Sequence, residues 1–214
     1  MRNMLLAIVA GGVLIAGFIN APAAYELTVR QRIQITLLGG LNLSLPSGSM
    51  APGLPQGSDV FGRIFDAAKD KLQVGDLVVF ASGPERDILS FKRLIGVGGD
   101  QIQFINSRVF RNGKILDRQQ VENDDDLAKR LNKPVPCYIE MNESKNYKIC
   151  QMLGDTGYNA NTKIFVIPPG MLFLAGDNRD NSTDSRIPEN ENGPSLVPIM
   201  EVVATVASGN ALPK

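Results

Sequence analysis

The first two dozen residues, MRNMLLAIVAGGVLIAGFINAPAA, constrain this chain more than any other stretch. Between Met4 and Ile19 there is no charged side chain, and the apolar character runs on past Asn20 to Ala24. As a helix rising 1.5 Å per residue, about 20 residues reach roughly 30 Å, the thickness of a bilayer's hydrocarbon core. Such a segment is either a retained anchor or an export signal that is later removed. Ala21-Pro22-Ala23 resembles the small-residue pattern of a cleavage site, so self-processing there is a further expectation. A buried helix of a soluble core fits a Gly-rich, uncharged chain start less well. Arg2 precedes the segment while Arg30 and Arg32 follow it, so the positive-inside bias gives no orientation. Both readings deliver the rest of the chain to a membrane and across it; residues 1–24 are expected to be one N-terminal transmembrane helix serving as anchor, or else a signal segment.

The remainder is long enough for one substantial domain, or for a core with a smaller inserted lobe. Basic and acidic residues balance at 22 each, so no polyanion-binding surface is indicated and nucleic acid is not an expected partner. Cys137 and Cys150 are the two cysteines of the chain, and there is no histidine. Without CxxC spacing or a histidine ligand, zinc is disfavoured, and neither a metal nor another cofactor is expected. In an exported chain a Cys137–Cys150 disulfide is the better reading, two free thiols the alternative.

Most of the body reads as strands. Residues 25–45 alternate loosely, while 75–82 and 87–100 are β-branched and aromatic runs bounded by Gly, Asp and Pro. Asn112-Gly113 between apolar flanks is a hairpin signal. Two more strands flank Pro168-Pro169-Gly170, and 199–208 supplies a last one. Helix signals are few: a short turn within 60–72, and 123–133, where acidic residues lead and basic ones trail, matching the helix dipole. Residues 101–161 are more polar and hold both cysteines. The expected organisation is therefore mainly β: a β-rich core from 25–100 and 162–214, with 101–161 as an inserted accessory lobe.

Three stretches have the composition for chemistry: PSGSMAPGL (46–54), SFKRLIGVGGD (90–100) and GDNRDNSTDSR (176–186). The third fails as a calcium loop. Counting from Asp177, position 3 is Arg179, position 6 is Ser182 and position 12 is Pro188, where oxygen ligands, glycine and glutamate are needed. A serine in the first stretch needs a base to take its proton, and histidine is absent. Lysine can serve if it is neutral, which requires its pKa to fall from about 10.4 towards 7, a bias of roughly 4–5 kcal/mol. Burial supplies shifts of that size. Lys92 lies among Phe91, Leu94, Ile95 and Val97, a more apolar setting than most other lysines have.

In order and content these stretches resemble the sequence boxes of type I signal peptidases, membrane-bound serine proteases with a Ser-Lys dyad. Pro46–Pro52 matches the nucleophile box, Lys92–Asp100 the lysine box, and Gly176–Arg186 the last box throughout. The resemblance implies a signal-peptidase-type β-rich core, with Ser49 as nucleophile and Lys92 as general base. It implies that the Ser47 hydroxyl joins the Ser49 N–H in the oxyanion hole, and that Ser182 orients the lysine. Arg93, Asp177, Arg179, Asp184 and Arg186 are expected as structural support, with Arg93 pairing one of the aspartates. Leu43, Leu45, Met50, Leu54 and Phe91 take the positions that line pockets for small substrate side chains. Gly-Val-Gly-Gly-Asp at 96–100 loosens a turn relative to the usual pattern, and 187–198 is longer than usual.

The resemblance thus implies cleavage of N-terminal signal peptides from exported preproteins through an acyl-enzyme. The implied location is the cell (inner) membrane, single-pass, with the catalytic domain on the extracytoplasmic (periplasmic) side. Expected partners are preprotein signal peptides, membrane lipid and the secretion translocase. A peptidase devoted to one secreted or pilus subunit is an alternative that the sequence leaves open. A self-cleaving repressor-type protease would need a DNA-binding domain where the apolar segment stands. A non-enzymatic anchored β-domain would leave the two serines and the lysine unexplained.

Overall fold

The computed structural model describes residues 27–83, 87–142, 145–151, 156–157, 159–191 and 193–211, together with 6–10 and 13–17 near the start. These last form β1 (Leu6–Ala10) and β2 (Val13–Gly17), an antiparallel pair with Ala10 opposite Val13. Over 6–10 and 13–17 the chain is therefore strand rather than the transmembrane helix expected over 1–24, and the other residues of that stretch lie outside the described ones. No helix among the described residues is long and apolar enough to cross a membrane. Ile8, Val9, Val13 and Ile15 are β-branched and suit extended backbone, and Gly11-Gly12, poor helix formers, separate the two strands in sequence. Ala21-Pro22-Ala23 lies outside the described residues.

A second correction follows at once: 29–38 is a helix, not part of a strand. Helix α1 (Val29–Leu38) starts from a capping box in which the Thr28 hydroxyl accepts from Gln31 N–H and the Gln31 side chain accepts from Thr28 N–H. It stops at Gly39, whose φ of 67° is the left-handed turn that glycine adopts without strain.

The main sheet is built from β3 (Gly40–Ser44), β4 (Asp59–Ile64), β5 (Leu77–Ser82) and β6 (Ile88–Val97), completed by strands from the far end of the chain. Two smaller sheets intervene. They draw on β7 (Gln101–Ile105), β8 (Arg108–Arg111), β9 (Lys114–Ile115), β10 (Asp117–Val121), β11 (Cys137–Met141) and β12 (Asn146–Cys150). Helix α2 (Asp125–Leu131) lies between β10 and β11, its N-terminus capped by the Asp124 carboxylate, which accepts from Leu127 N–H at 2.8 Å. The chain then adds β13 (Phe165–Val166), β14 (Met171–Ala175), β15 (Val197–Pro198) and β16 (Val202–Ala211). The seven-stranded order is β15-β14-β6-β5-β16-β4-β3, all antiparallel. Within 60–72, residues 60–64 belong to β4, where Phe61 pairs with Asn42 and Arg63 with Gly40 on β3; the expected short turn follows, Lys69 and Asp70 N–H both donating to Asp66 O.

Strand β6 holds Lys92 and Arg93 and has β5 on one side and β14 on the other. Phe91 through Gly96 are buried without a break, the pattern of a strand covered on both faces rather than one. Around it, one apolar cluster joins Leu41, Leu43, Leu45, Met50, Val79 and Phe91, and another joins Val78, Phe80, Leu94, Leu172 and Leu174. A third ties the small sheets to the core through Ile95, Phe104, Tyr147, Ile149 and Phe173. The sheet β13-β7-β8-β9 takes one strand from beyond residue 161, Phe165 pairing with Ile102. In the sheet β10-β11-β12, Cys137 stands opposite Cys150 and the two form a disulfide.

Candidate active site

The loop after β3 carries the two serines. Leu45 anchors its start by donating to Ser58 O and accepting from Gly57 N–H, and Leu54 N–H donates to Met50 O beyond it. Ser49 is buried, while Ser47 is exposed. Their hydroxyl oxygens lie 3.1 Å apart. Lys92, only 5% exposed, donates from Nζ to Ser49 Oγ at 2.9 Å. With the amine neutral, the same contact lets the hydroxyl donate to the nitrogen, which is the geometry a base needs. Burial lowers the Lys92 pKa from its ordinary 10.5; the Asp184 and Asp177 carboxylates oppose that shift and the Arg186 guanidinium adds to it.

The segment following β14 fixes this loop from below. Asn178 donates from its main-chain N–H to Ser49 O at 3.0 Å and from Nδ2 to Gly48 O at 3.1 Å. Asp177 takes Arg93 in a bidentate pair, Nε at 3.1 Å and Nη2 at 2.6 Å, with both side chains buried. Arg93 also donates to Gly75 O at 3.0 Å and lies over the Tyr147 ring. Arg179 makes a second bidentate pair with Glu140 on β11, and the Tyr147 hydroxyl donates to the same carboxylate at 3.0 Å. Asp184 takes Arg186 in a third, at 2.8 Å for both contacts, and accepts from Gly176 N–H at 3.0 Å. Burial alone would raise the Asp184 pKa, but Arg186 and the Gly176 N–H hold it below the usual carboxylate value.

Each ion pair consists of charges that would be strongly unfavourable alone at such depth. Paired, they leave the turn at 177–179 a single arrangement. Its main chain is also clamped from the small sheet, since Cys150 N–H donates to Asp177 O and Arg179 N–H donates to Cys150 O, both at 3.0 Å. The strand end that carries the disulfide therefore abuts the turn that holds the serine loop.

The structure brings Ser47, Ser49 and Lys92 into one chain of contacts, and buries Arg93, Asp177, Arg179, Asp184 and Arg186 around it. Ser182 is brought beside Ser49 without touching the lysine by hydrogen bond. A Cβ added at Gly176 would collide with both Ser182 and Ser49 O, yet the buried Ser182 hydroxyl has no hydrogen-bond partner. Leu43, Leu45, Met50, Leu54 and Phe91 are all buried in one apolar cluster adjoining the serine loop. Sequence reasoning gave Glu140 and Tyr147 no part, and took Gly176 and Asn178 only as members of the last box, without a role. Of these, Glu140 left one trace: Arg179 needs an acidic partner wherever it is buried.

A family model described as signal peptidase, peptidase S26, matches residues 32–208. The chain belongs to this signal peptidase family. Among relatives, signal peptidase I of Rickettsia conorii is 34% identical over 136 residues, covering 59% of this chain and 47% of the relative. That of Rickettsia prowazekii is 32% identical over 137 residues, covering 59% and 48%. The chain thus spans about half the length of the curated relatives it matches. A solved signal peptidase I from Enterococcus faecalis aligns with 64% of this chain and 98% of its own, at 25% identity and a TM-score of 0.37. The match to the peptidase S26 family takes in the serine loop, Lys92 and the whole 176–186 segment.

Proposed function

We propose that this chain is a membrane-associated serine endopeptidase that cleaves signal peptides from exported preproteins, with Ser49 as nucleophile and Lys92 as its general base. The observation that carries the reading is the 2.9 Å contact from Lys92 Nζ to Ser49 Oγ at a lysine that burial biases towards its neutral form. Membership of the signal peptidase family supports the substrate class. The uncharged run from Met4 to Ile19 supports a membrane location, with the body facing the extracytoplasmic side, where preproteins and the secretion translocase meet it.

In the reaction, neutral Lys92 takes the Ser49 proton as Oγ attacks the substrate carbonyl carbon. Negative charge develops on the carbonyl oxygen, where the Ser47 hydroxyl and Ser49 N–H donate. The lysine ammonium then protonates the leaving amine, and the acyl-enzyme remains on Ser49. Water attacks the ester with Lys92 again as base, which releases the signal peptide and restores the serine. Ser182 orients the lysine amine in this reading, supported by a buried hydroxyl near the Ser49 main chain that has no hydrogen-bond partner. The apolar cluster of Leu43, Leu45, Met50, Leu54 and Phe91 backs the loop and favours small apolar substrate side chains.

The test is cleavage of a purified preprotein by the chain and by Ser49→Ala and Lys92→Ala variants. Both variants are expected to lose cleavage, with the wild-type product starting after a small residue. Unchanged cleavage by Lys92→Ala would sink the mechanism, and by Ser49→Ala the enzyme class.

A further inference from the structure

A cavity of about 260 Å³ opens beside the 176–186 segment. Its walls include Asn159, Asp180, Asn181, Ser182 and Thr183, with Ile187 as an aliphatic patch. The guanidinium of Arg179, which also borders it, is already bound to Glu140. Amide and hydroxyl side chains therefore outnumber the one carboxylate, Asp180, in contrast to the aliphatic cluster that backs the serine loop.

The cavity is tied to the nucleophile by position. Asn181 Nδ2 stands 4.0 Å from where a Cβ on Gly48 would lie, so this wall borders the residue between Ser47 and Ser49. Asn181 N–H donates to Asn178 O at 3.0 Å, and Asn178 holds Ser49 O and Gly48 O. Cavity and nucleophile are thus fixed to one turn. Successive Cα atoms of a peptide are about 3.8 Å apart, so a wall bordering Gly48 is within reach of side chains one or two residues from a carbonyl carbon at Ser49 Oγ. The volume admits one amide side chain with a few waters, each of which takes about 30 Å³ in the liquid.

We propose that this cavity is a polar subsite for a preprotein side chain bearing an amide or hydroxyl group and flanking the scissile bond, with Asn181 and Thr183 setting the preference. The proposal rests on the peptidase reading and deepens it. A substrate that fills the subsite satisfies amide and hydroxyl groups in the wall, whereas an aliphatic side chain of equal size leaves them unpaired. Sites that hydrogen-bond a substrate group discriminate strongly against analogues lacking it. Such a peptidase serves a narrower set of preproteins than small apolar pockets alone would select.

The experiment uses the full chain in detergent and a set of preprotein-derived peptides. Each peptide carries Gln, Ser, Leu or Lys at one position, from three residues before the scissile bond to three after it. At one position Gln or Ser is expected to exceed Leu by about tenfold in kcat/KM, the worth of roughly one net hydrogen bond. In Asn181→Ala and in Thr183→Val that ratio falls towards one. As a readout independent of catalysis and of those substitutions, the Ser49→Ala protein is expected to bind the Gln peptide about tenfold more tightly than the Leu peptide. A preference for Leu or Lys at every position, equal binding of the two peptides, or a ratio unmoved in both wall variants would overturn the subsite. Failure of the peptidase reading looks different: no peptide is cut, or Ser49→Ala cuts them all, and both proposals fall together.

Discussion

Gly176 offers the sharpest test of how the 176–186 segment positions Ser49. Its φ is not in the left-handed region, so alanine fits the backbone and the obstacle is purely steric. A Cβ there would stand 2.6 Å from Ser49 O and 2.5 Å from Ser182 Cβ, where ordinary contact begins at 3.4 Å. Neither neighbour is the free end of a long side chain. Restoring contact from 2.6 to 3.4 Å displaces the Ser49 main chain or Gly176 by about 0.8 Å. Overpacking of this kind costs about 1–3 kcal/mol, or a fall in Tm of roughly 2–12 °C at about 2–4 °C per kcal/mol for a chain of this size. A misplacement near 1 Å at a reacting group lowers the rate by about 10²-fold. The Gly176→Ala variant is therefore expected to lose about two orders of magnitude in kcat on a preprotein peptide, with KM changed much less. Circular dichroism melts separate this from unfolding at assay temperature. A folded variant whose kcat stays within about twofold of wild type would refute the argument that this close approach sets the position of Ser49.

Four more expectations follow from the buried charges and the disulfide. Because burial lowers the Lys92 pKa, kcat/KM is expected to rise with pH through that lowered value and level off below 10.5; a profile still rising past 10.5 contradicts it. The same group links to stability: between its folded pKa and 10.5 the unfolded chain binds the extra proton, so this contribution to stability grows as pH rises and is lost as pH falls through the folded value. Glu140→Gln leaves Arg179 buried without its charge partner and is expected to cost about 3–5 kcal/mol, read as a lowered midpoint in urea; an unchanged midpoint would show the pair to be dispensable. Reducing Cys137–Cys150, 13 residues apart, is expected to cost about 3 kcal/mol in the chain-entropy picture. Activity should fall with it, because Cys150 is hydrogen-bonded to Asp177 and Arg179; equal Tm and activity in the oxidised and reduced protein would count against that coupling.

How far residues reveal their places differs from one part of the chain to the next. Ser49 and Lys92 stood out because the chemistry of a serine without histidine leaves few candidate bases, and that is a matter of residue type. Strands β5 and β6 were legible as unbroken β-branched and aromatic runs. Residues 29–38 were misread because their loose alternation suits a strand, while Thr28 and Gln31 carry a helix start in two polar side chains. At 6–10 and 13–17 strands stand where a helix is expected, because apolar length alone does not separate a helix from paired strands rich in Val and Ile.

By itself, then, the sequence determined a mainly β chain with an unusual Ser-Lys composition in three ordered stretches. Tertiary structure alone decided which charges meet. Arg93 chose Asp177 over Asp184, and Arg179 reached Glu140 across 39 residues. It also decided that Asn178 carries the serine loop and that a polar cavity lies against Gly48. The reason is physical: residue type sets which interactions a side chain can make, but a buried ion pair or hydrogen bond forms only where packing brings distant strands within about 3 Å.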